Sequence, residues 1–307
     1  MKTVLVTGAA GFIGRHTLTP LLDSGYKVIT TGRSTLPVDS RVEHHCADLL
    51  DKNQIATLIK ETRPEELLHL AWYLEPGKYL HSFLNDAWLA ASRELLKQFG
   101  LHGGKRAVLA GTCFEYQFQD SLLDELESPV DSNSHYGECK NALRIEAEKL
   151  SNDFQFSLAW ARIFYLYGPH EYENRLVASV INSLIKSKEA PCSEGTQIRD
   201  YLHVQDVADG LSHILQSNIT GPVNVTDGVG HTIRQIVETI AALTGRPELV
   251  KFGAFQPRPG DPDLVVGAPG KILTTPWKPS FDLTSGLRAT IEWWKQAHQG
   301  NSAPIKN

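Results

Sequence analysis

A short apolar run at residues 3–6, three glycines spaced three apart at 8, 11 and 14, and alternating strand-like and helical stretches through about residue 165 predict an α/β chain. Strands joined by helical crossovers make a doubly wound parallel sheet. The first strand runs into Thr7-Gly8, and a helical pattern follows over 15–24. Five more strands are expected at 27–31, 42–46, 66–70, 105–110 and 157–163, with helices between them such as 90–100 and 136–150. After Gly168-Pro169 the pattern loosens, and Pro191, Pro222, Pro257, Pro259, Pro262, Pro269, Pro276 and Pro279 punctuate shorter elements. The expected division is a nucleotide-binding domain over 1–165, with 202–226 returning to its sheet, and a smaller C-terminal α/β substrate lobe over 166–307.

The glycines define what the first turn can hold. Gly8 permits a tight turn, Gly11 lets backbone approach a pyrophosphate, and Gly14 allows close packing of helix on strand, while the helix N-terminus offers unpaired N–H groups. That is the Rossmann fingerprint for a dinucleotide. The second strand ends in Gly32-Arg33-Ser34, where a carboxylate for an NAD ribose would ordinarily stand. A guanidinium at Arg33 can clamp a 2′-phosphate, so NADP(H) is favoured and NAD(H) remains possible. Asp48-Leu49, after the third strand, is placed to meet the adenine edge.

The 307 residues are 41% hydrophobic, enough for a sizeable core, and a net charge of −5 argues against nucleic-acid or anionic-membrane binding. Cys46, Cys113, Cys139 and Cys192 show neither pairing nor zinc spacing, which suits reduced thiols in a cytoplasm. No signal peptide and no membrane-spanning run is read from the sequence. His44-His45-Cys46 does not suggest a metal, because adjacent strand residues face opposite ways. Leu287, Ile291 and Trp294 repeat at helical spacing and are read as core, and His170-Glu171 as either pocket lining or loop.

Tyr136-Gly137-Glu138-Cys139-Lys140 carries the chemistry. A tyrosine and a lysine four apart share a helix face, and Thr112 lies just past a strand end, where such sheets bind ligands. Lys140 can hold a nicotinamide ribose and, with the positive charge of the oxidised nicotinamide ring, lower the Tyr136 phenol toward working pH, so that Tyr136 donates a proton to a carbonyl oxygen that Thr112 also positions.

Thr7-Gly8-x-x-Gly11-x-x-Gly14, Asp48-Leu49, His69-Leu70-Ala71, Gly111-Thr112 and Tyr136-x-x-x-Lys140, in this order, resemble the extended short-chain dehydrogenase/reductases over essentially the whole chain. Residues 199–210, Arg-Asp-Tyr-Leu-His-Val-Gln-Asp-Val-Ala-Asp-Gly, and Arg258-Pro259-Gly260-Asp261 are similar to segments of the sugar-nucleotide-modifying members. The resemblance implies cofactor contacts from Phe12, Ile13, Leu70, Ala71 and Phe164 as well as the glycines. It implies substrate contacts from Tyr73, Tyr165, Asn174, Arg199 and Arg258, the arginines gripping the diphosphate of a nucleoside-diphosphate sugar. It also implies a homodimer through the helices carrying Ala90 and Tyr136.

The reaction is narrowed by departures from the family pattern. Its dehydratases carry Asp-Glu directly after the catalytic Ser/Thr, whereas Cys113 and Phe114 stand here, and its cysteine-using epimerase-reductases place that cysteine one residue later. On an extended run 110–117, Glu115 would point with Cys113 and away from Thr112. The favoured reading is NADPH-dependent reduction of a 4-keto-6-deoxy sugar nucleotide, which the stretches 111–116, His69-Leu70-Ala71-Trp72 and Pro76-Gly77-x-Tyr79 also resemble. An NAD-dependent 4-epimerase is the second reading, and a non-catalytic NADP-binding sensor or scaffold the third. Trp72-Tyr73-Leu74 falls where the sugar is expected, although core packing is the simpler role for Trp72.

Overall fold

The computed structural model describes residues 1–33, 39–256 and 260–300. In chain order its elements are β1 (Thr3–Thr7), α1 (Gly14–Asp23), β2 (Lys27–Gly32), β3 (Glu43–Cys46), α2 (Lys52–Thr62), β4 (Glu66–His69), α3 (Leu84–Leu101), β5 (Arg106–Thr112), α4 (His135–Phe154) and β6 (Ser157–Ile163). There follow β7 (Tyr165–Tyr167), α5 (Leu176–Ile185), β8 (Ala190–Pro191), β9 (Ile198–His203), α6 (Val204–Gln216), β10 (Gly221–Val225), β11 (Gly230–Thr232), α7 (Ile233–Thr244), β12 (Val250–Lys251), β13 (Leu264–Val265) and α8 (Leu283–His298).

Seven parallel strands form the central sheet in the order β10-β6-β5-β4-β1-β2-β3. Alternation along each strand fills two cores. Val4, Val6, Val28 and Val108 pack with Leu18 and Leu21 of α1 and Val207 and Leu211 of α6. Leu5, Ile29, Leu67 and Leu109 face the other way, onto Ile55 and Ile59 of α2, Leu95 and Phe99 of α3, and Leu143 of α4. Both faces of the sheet are therefore covered, as a parallel sheet requires.

Winding reverses between β1 and β4, so their carboxyl ends open a crevice at the switch point. The chain leaves this sheet after β6. β7, β9, β11 and β13 make a smaller sheet, β8 pairs with β12, and α5, α7 and α8 enclose a core that includes Tyr167, Ile181, Ile236, Leu287, Ile291 and Trp294. α6 and β10 then bring the chain back beside β6. Among the described residues no helix is long and apolar enough to cross a membrane.

Candidate active site

The glycine turn sits at the switch point. Gly8 has φ 70°, and a Cβ there would lie 2.8 Å from the Ala71 nitrogen, so β1 and β4 approach at Leu70-Ala71 only because residue 8 has no side chain. A Cβ on Gly14 would lie 2.1 Å from the Gly8 carbonyl, which makes this residue the seat of helix on turn. Thr7 Oγ1 accepts the Leu70 and Ala71 N–H groups at 3.2 Å and hydrogen-bonds His69 Nδ1 at 2.7 Å. Burial first, then nearby Lys140, holds His69 down at about 3, so it stays a neutral strut. Phe12 and Ile13 are half-buried at the mouth of the turn. Ile13 caps α1 without a side-chain bond, and no acid occupies the first turn. The uncapped N–H groups and the dipole suit a pyrophosphate, so the residues present fit a dinucleotide.

Around the expected adenosine end, Arg33 is exposed at the end of β2 and has no ion pair among the described residues. Asp48 is half-exposed beyond β3, one carboxylate oxygen accepting the Leu50 N–H at 3.0 Å, and Leu49 is buried against α2. Phe164 is buried with Tyr116, Leu123 and Val265, which leaves its backbone rather than its ring for a cofactor. His44 and His45 bond Thr30 and Glu43 separately.

The expectation of an extended run after Thr112 is wrong. Residues 113–115 form a 3-10 turn capped by Thr112, whose Oγ1 accepts the Phe114 N–H at 3.3 Å. This swings Glu115 under the strand end, where its Oε1 accepts the Thr112 N–H at 2.8 Å. Trp160 Nε1 donates to both carboxylate oxygens at 2.9 Å, and Arg162 Nε donates to Oε2 at 2.9 Å. Gly111 is required by this bundle, because a Cβ would lie 2.3 Å from Trp160 Nε1. Cys113 is buried, and burial first, then Asp200, pushes its thiol far up.

α4 begins against that turn. Ser134 caps it by accepting the Gly137 N–H at 3.1 Å, and a Cβ on Gly137 would lie 2.2 Å from the Phe114 carbonyl. This close approach brings the Tyr136 phenol near the Thr112 hydroxyl, which favours the ionised phenol. Tyr79, Trp72 and Phe114 surround the Tyr136 ring edge-on at 5.0, 6.4 and 6.4 Å. Lys140 Nζ donates to the Ala110 carbonyl at 2.9 Å and lies 3.8 Å from the centre of the Trp72 ring. Trp72 is thus more than core packing. Its indole N–H is anchored on Asn85 at 2.8 Å, and its face meets the ammonium.

Electrostatics sets the starting state of this pair. Burial pushes the Tyr136 phenol far above its ordinary value, against the lowering effect of Thr112. Lys140 is itself brought down to about 7 by burial, opposed by Glu115. The expected lowering of Tyr136 draws on the charge of an oxidised nicotinamide as well as on Lys140.

On the substrate side, Tyr165 lies 6.1 Å from Phe114, 5.4 Å from Tyr201, and 5.5 Å from the Arg199 guanidinium. Arg199 is only 3% exposed and is held by Asp261 at 3.2 Å and by the Ile198 and Asp263 carbonyls. Its fork is therefore partly engaged by the protein itself. Tyr73 donates to Glu75 at 2.9 Å, and Asn174 is exposed just ahead of α5. Arg258 lies outside the described residues. Arg175, which sequence reasoning passed over, caps α5 with its guanidinium 5.6 Å from the Tyr79 ring. Glu171 was also missed as a titrating group. It is buried, one oxygen lacks a partner among the described residues, and burial, opposed by Arg175, raises it to about 8. His170 instead turns to Arg15 at 2.9 Å and to Trp293.

A glycine turn at a switch point beside a Thr/Tyr/Lys cluster defines a nicotinamide-dinucleotide enzyme of the extended short-chain dehydrogenase/reductase class. Residues 4–227 match the NAD dependent epimerase/dehydratase family, and the chain belongs to it. It is 26% identical over 309 residues to a UDP-glucose 4-epimerase of Bacillus subtilis (strain 168), spanning 87% of this chain and 89% of that protein. The crystal structure of Thermus thermophilus UDP-glucose 4-epimerase in complex with NAD is 26% identical and superposes with a TM-score of 0.86, covering 96% of this chain and 99% of that one. A dTDP-glucose 4,6-dehydratase from Bacillus anthracis str. Ames, in complex with NAD, shares the fold at a TM-score of 0.85 and 20% identity over 97% and 98% of the two chains.

Proposed function

We propose that the chain reduces the 4-keto group of a nucleoside-diphosphate 4-keto-6-deoxy sugar with NADPH. The observation that carries this reading is the single proton-transfer group at the strand end. Cys113 is buried with its thiol pushed up, Phe114 is apolar, and Glu115 is consumed by Arg162, Trp160 and the Thr112 N–H. Water elimination needs an acid and a base beside the tyrosine, and neither is in place. Carbonyl reduction needs one hydride and one proton.

When bound, the nicotinamide supplies the hydride to C4. Tyr136 gives its proton to O4 as the C–O double bond becomes single, and Thr112 holds that oxygen. Lys140, fixed between Ala110 and Trp72, would hold the nicotinamide ribose, and its ammonium would stabilise the Tyr136 phenolate until a proton from solvent restores the phenol. Arg33 supports NADPH by offering to a 2′-phosphate a guanidinium that has no ion pair among the described residues. Arg199, Arg175, Asn174 and Arg258 are assigned to the diphosphate, and Tyr73 and Tyr165 to the sugar, with a homodimer formed through α3 and α4.

A 4-epimerase is the second reading, favoured by the likeness to UDP-glucose 4-epimerases, and it uses the same tyrosine. The two separate in one experiment. A reductase emerges from purification free of dinucleotide and oxidises NADPH stoichiometrically with a 4-keto-6-deoxy sugar nucleotide, and Arg33→Asp shifts its preference toward NADH. Retained NAD, with interconversion of UDP-hexoses and no net NADPH oxidation, would replace the reductase by the epimerase.

A further inference from the structure

Outside the Thr112–Tyr136–Lys140 cluster, two helices bring together a second set of reactive side chains. His135 and Cys139 are four apart and share one face of α4, and Asp86 meets them from the first turn of α3. Cys139 Sγ lies 3.6 Å from His135 Nε2 and 3.9 Å from Asp86 Oδ1, and His135 Nε2 lies 2.8 Å from Asp86 Oδ2. We propose that Asp86, His135 and Cys139 form a binding site for a borderline divalent cation, Zn²⁺ by its chemistry, that straps α3 to the start of α4.

Three arguments carry the assignment. The first is edge length: zinc bonds of about 2.0–2.1 Å to nitrogen or oxygen and about 2.3 Å to sulfur give tetrahedral ligand–ligand edges of about 3.3–3.6 Å. The Cys139–His135 edge of 3.6 Å falls in that range, and one donor atom from each residue lies within 4.8 Å of the other two, so modest side-chain rotations, which part the His135–Asp86 hydrogen bond, close the site. The second is the donor set. A thiolate, an imidazole and one carboxylate suit zinc or cobalt and do not suit calcium or magnesium, which take oxygen ligands.

The third argument is the surroundings. The other His135 ring nitrogen, Nδ1, faces Glu138 Oε2 at 3.5 Å, the outer carboxylate that orients a metal-bound imidazole. Phe83 covers one side of the ring at 6.3 Å. Cys139 is buried, whereas the His135 and Asp86 side chains are 30% and 58% exposed, so an ion enters from solvent and keeps its fourth position for water. Cys139 binds as thiolate and its proton passes to solvent.

The consequence follows from the interleaving His135-Tyr136-x-x-Cys139-Lys140. Each of the two α4 ligands immediately precedes a residue of the reactive pair, so the ion fixes the start of α4 that carries Tyr136 and Lys140. The site stands whichever reaction the chain performs.

Cobalt is the probe. Protein stripped with chelator and titrated with Co²⁺ should develop thiolate-to-cobalt absorption in the near ultraviolet that saturates at one ion per chain, and Zn²⁺ should abolish it. Cys139→Ser should lose the band, and His135→Gln and Asp86→Asn should each weaken cobalt at least tenfold. Zn²⁺ should raise the melting temperature of the wild type but not of Cys139→Ser. Asp86→Asn alters an exposed side chain, so it keeps the test decisive should Cys139→Ser fail to fold. Absence of the thiolate band overturns the proposal, as does a band that survives Cys139→Ser and disappears with Cys46→Ser, which would place cobalt on the exposed thiol.

Discussion

Glu115 and Arg162 form an ion pair at 2.9 Å in which the two side chains are 0% and 1% exposed, directly beneath the strand end that presents Thr112. Two buried charges are tolerated only when every lone pair and donor is used. Here Trp160, the Thr112 N–H, the Tyr116 hydroxyl and the Glu125 carbonyl supply further partners. Glu115→Ala leaves Arg162 buried and unpaired, and should cost about 3–5 kcal/mol in urea unfolding at pH 7. Glu115→Ala combined with Arg162→Met should recover part of the loss. Equal losses in the single and double variants would show that the pair does not brace the strand end.

Tyr136→Phe keeps the ring that Tyr79, Trp72 and Phe114 enclose and removes only the hydroxyl. Turnover should fall by about 10²–10⁴-fold, the range of a lost general acid, while dinucleotide affinity measured by fluorescence titration stays unchanged. Intact turnover in this variant would mean that the proton comes from elsewhere.

Gly137→Ala tests the contact between α4 and the Thr112 turn. The added methyl meets the Phe114 carbonyl and Ser132, at 2.2 and 2.1 Å, so the helix start must move. Overpacking of this kind costs about 1–3 kcal/mol. Because the methyl separates Tyr136 from Thr112, kcat should fall by more than the thermal shift implies, with dinucleotide binding retained.

Glu171 predicts a pH dependence. Its carboxyl is raised from 4.5 in the unfolded chain to about 8 in the fold, burial being the cause, so the unfolded chain releases this proton first as pH rises. Its contribution is fully present below 4.5 and is lost as pH climbs through 8, at up to about 1.4 kcal/mol per pH unit. Lys140 and His69, both lowered, act in the opposite sense, which is why the test is a difference. The urea midpoint of the wild type minus that of Glu171→Gln should decline from pH 5 to pH 8.5. A flat difference would place Glu171 in a setting where its charge is not penalised.

Local signals made much of this protein legible. Glycines at 8, 11 and 14 mark places where backbone meets backbone, a constraint written in the residue type itself, and apolar runs with intervening helical periods specify a covered parallel sheet. Tyr136 and Lys140 share a face because they lie four apart on one helix. Such features depend on neighbours within a turn or a strand, so the sequence by itself determined them.

Tertiary structure decided the rest, because burial and partnership are not local. A capped 3-10 turn, rather than the pattern of residues 110–117, aims Glu115 at Arg162 forty-seven positions away. Trp72 reads as a core residue until α4 lays Lys140 on its ring, and desolvation there brings the lysine to about 7. Arg199 and Asp261 stand 62 positions apart in sequence, and only the fold pairs them. Asp86 stands forty-nine residues from His135, with no spacing that could announce a shared site. Charge energies depend on distance and on the water excluded between groups, and only the packed chain sets either quantity.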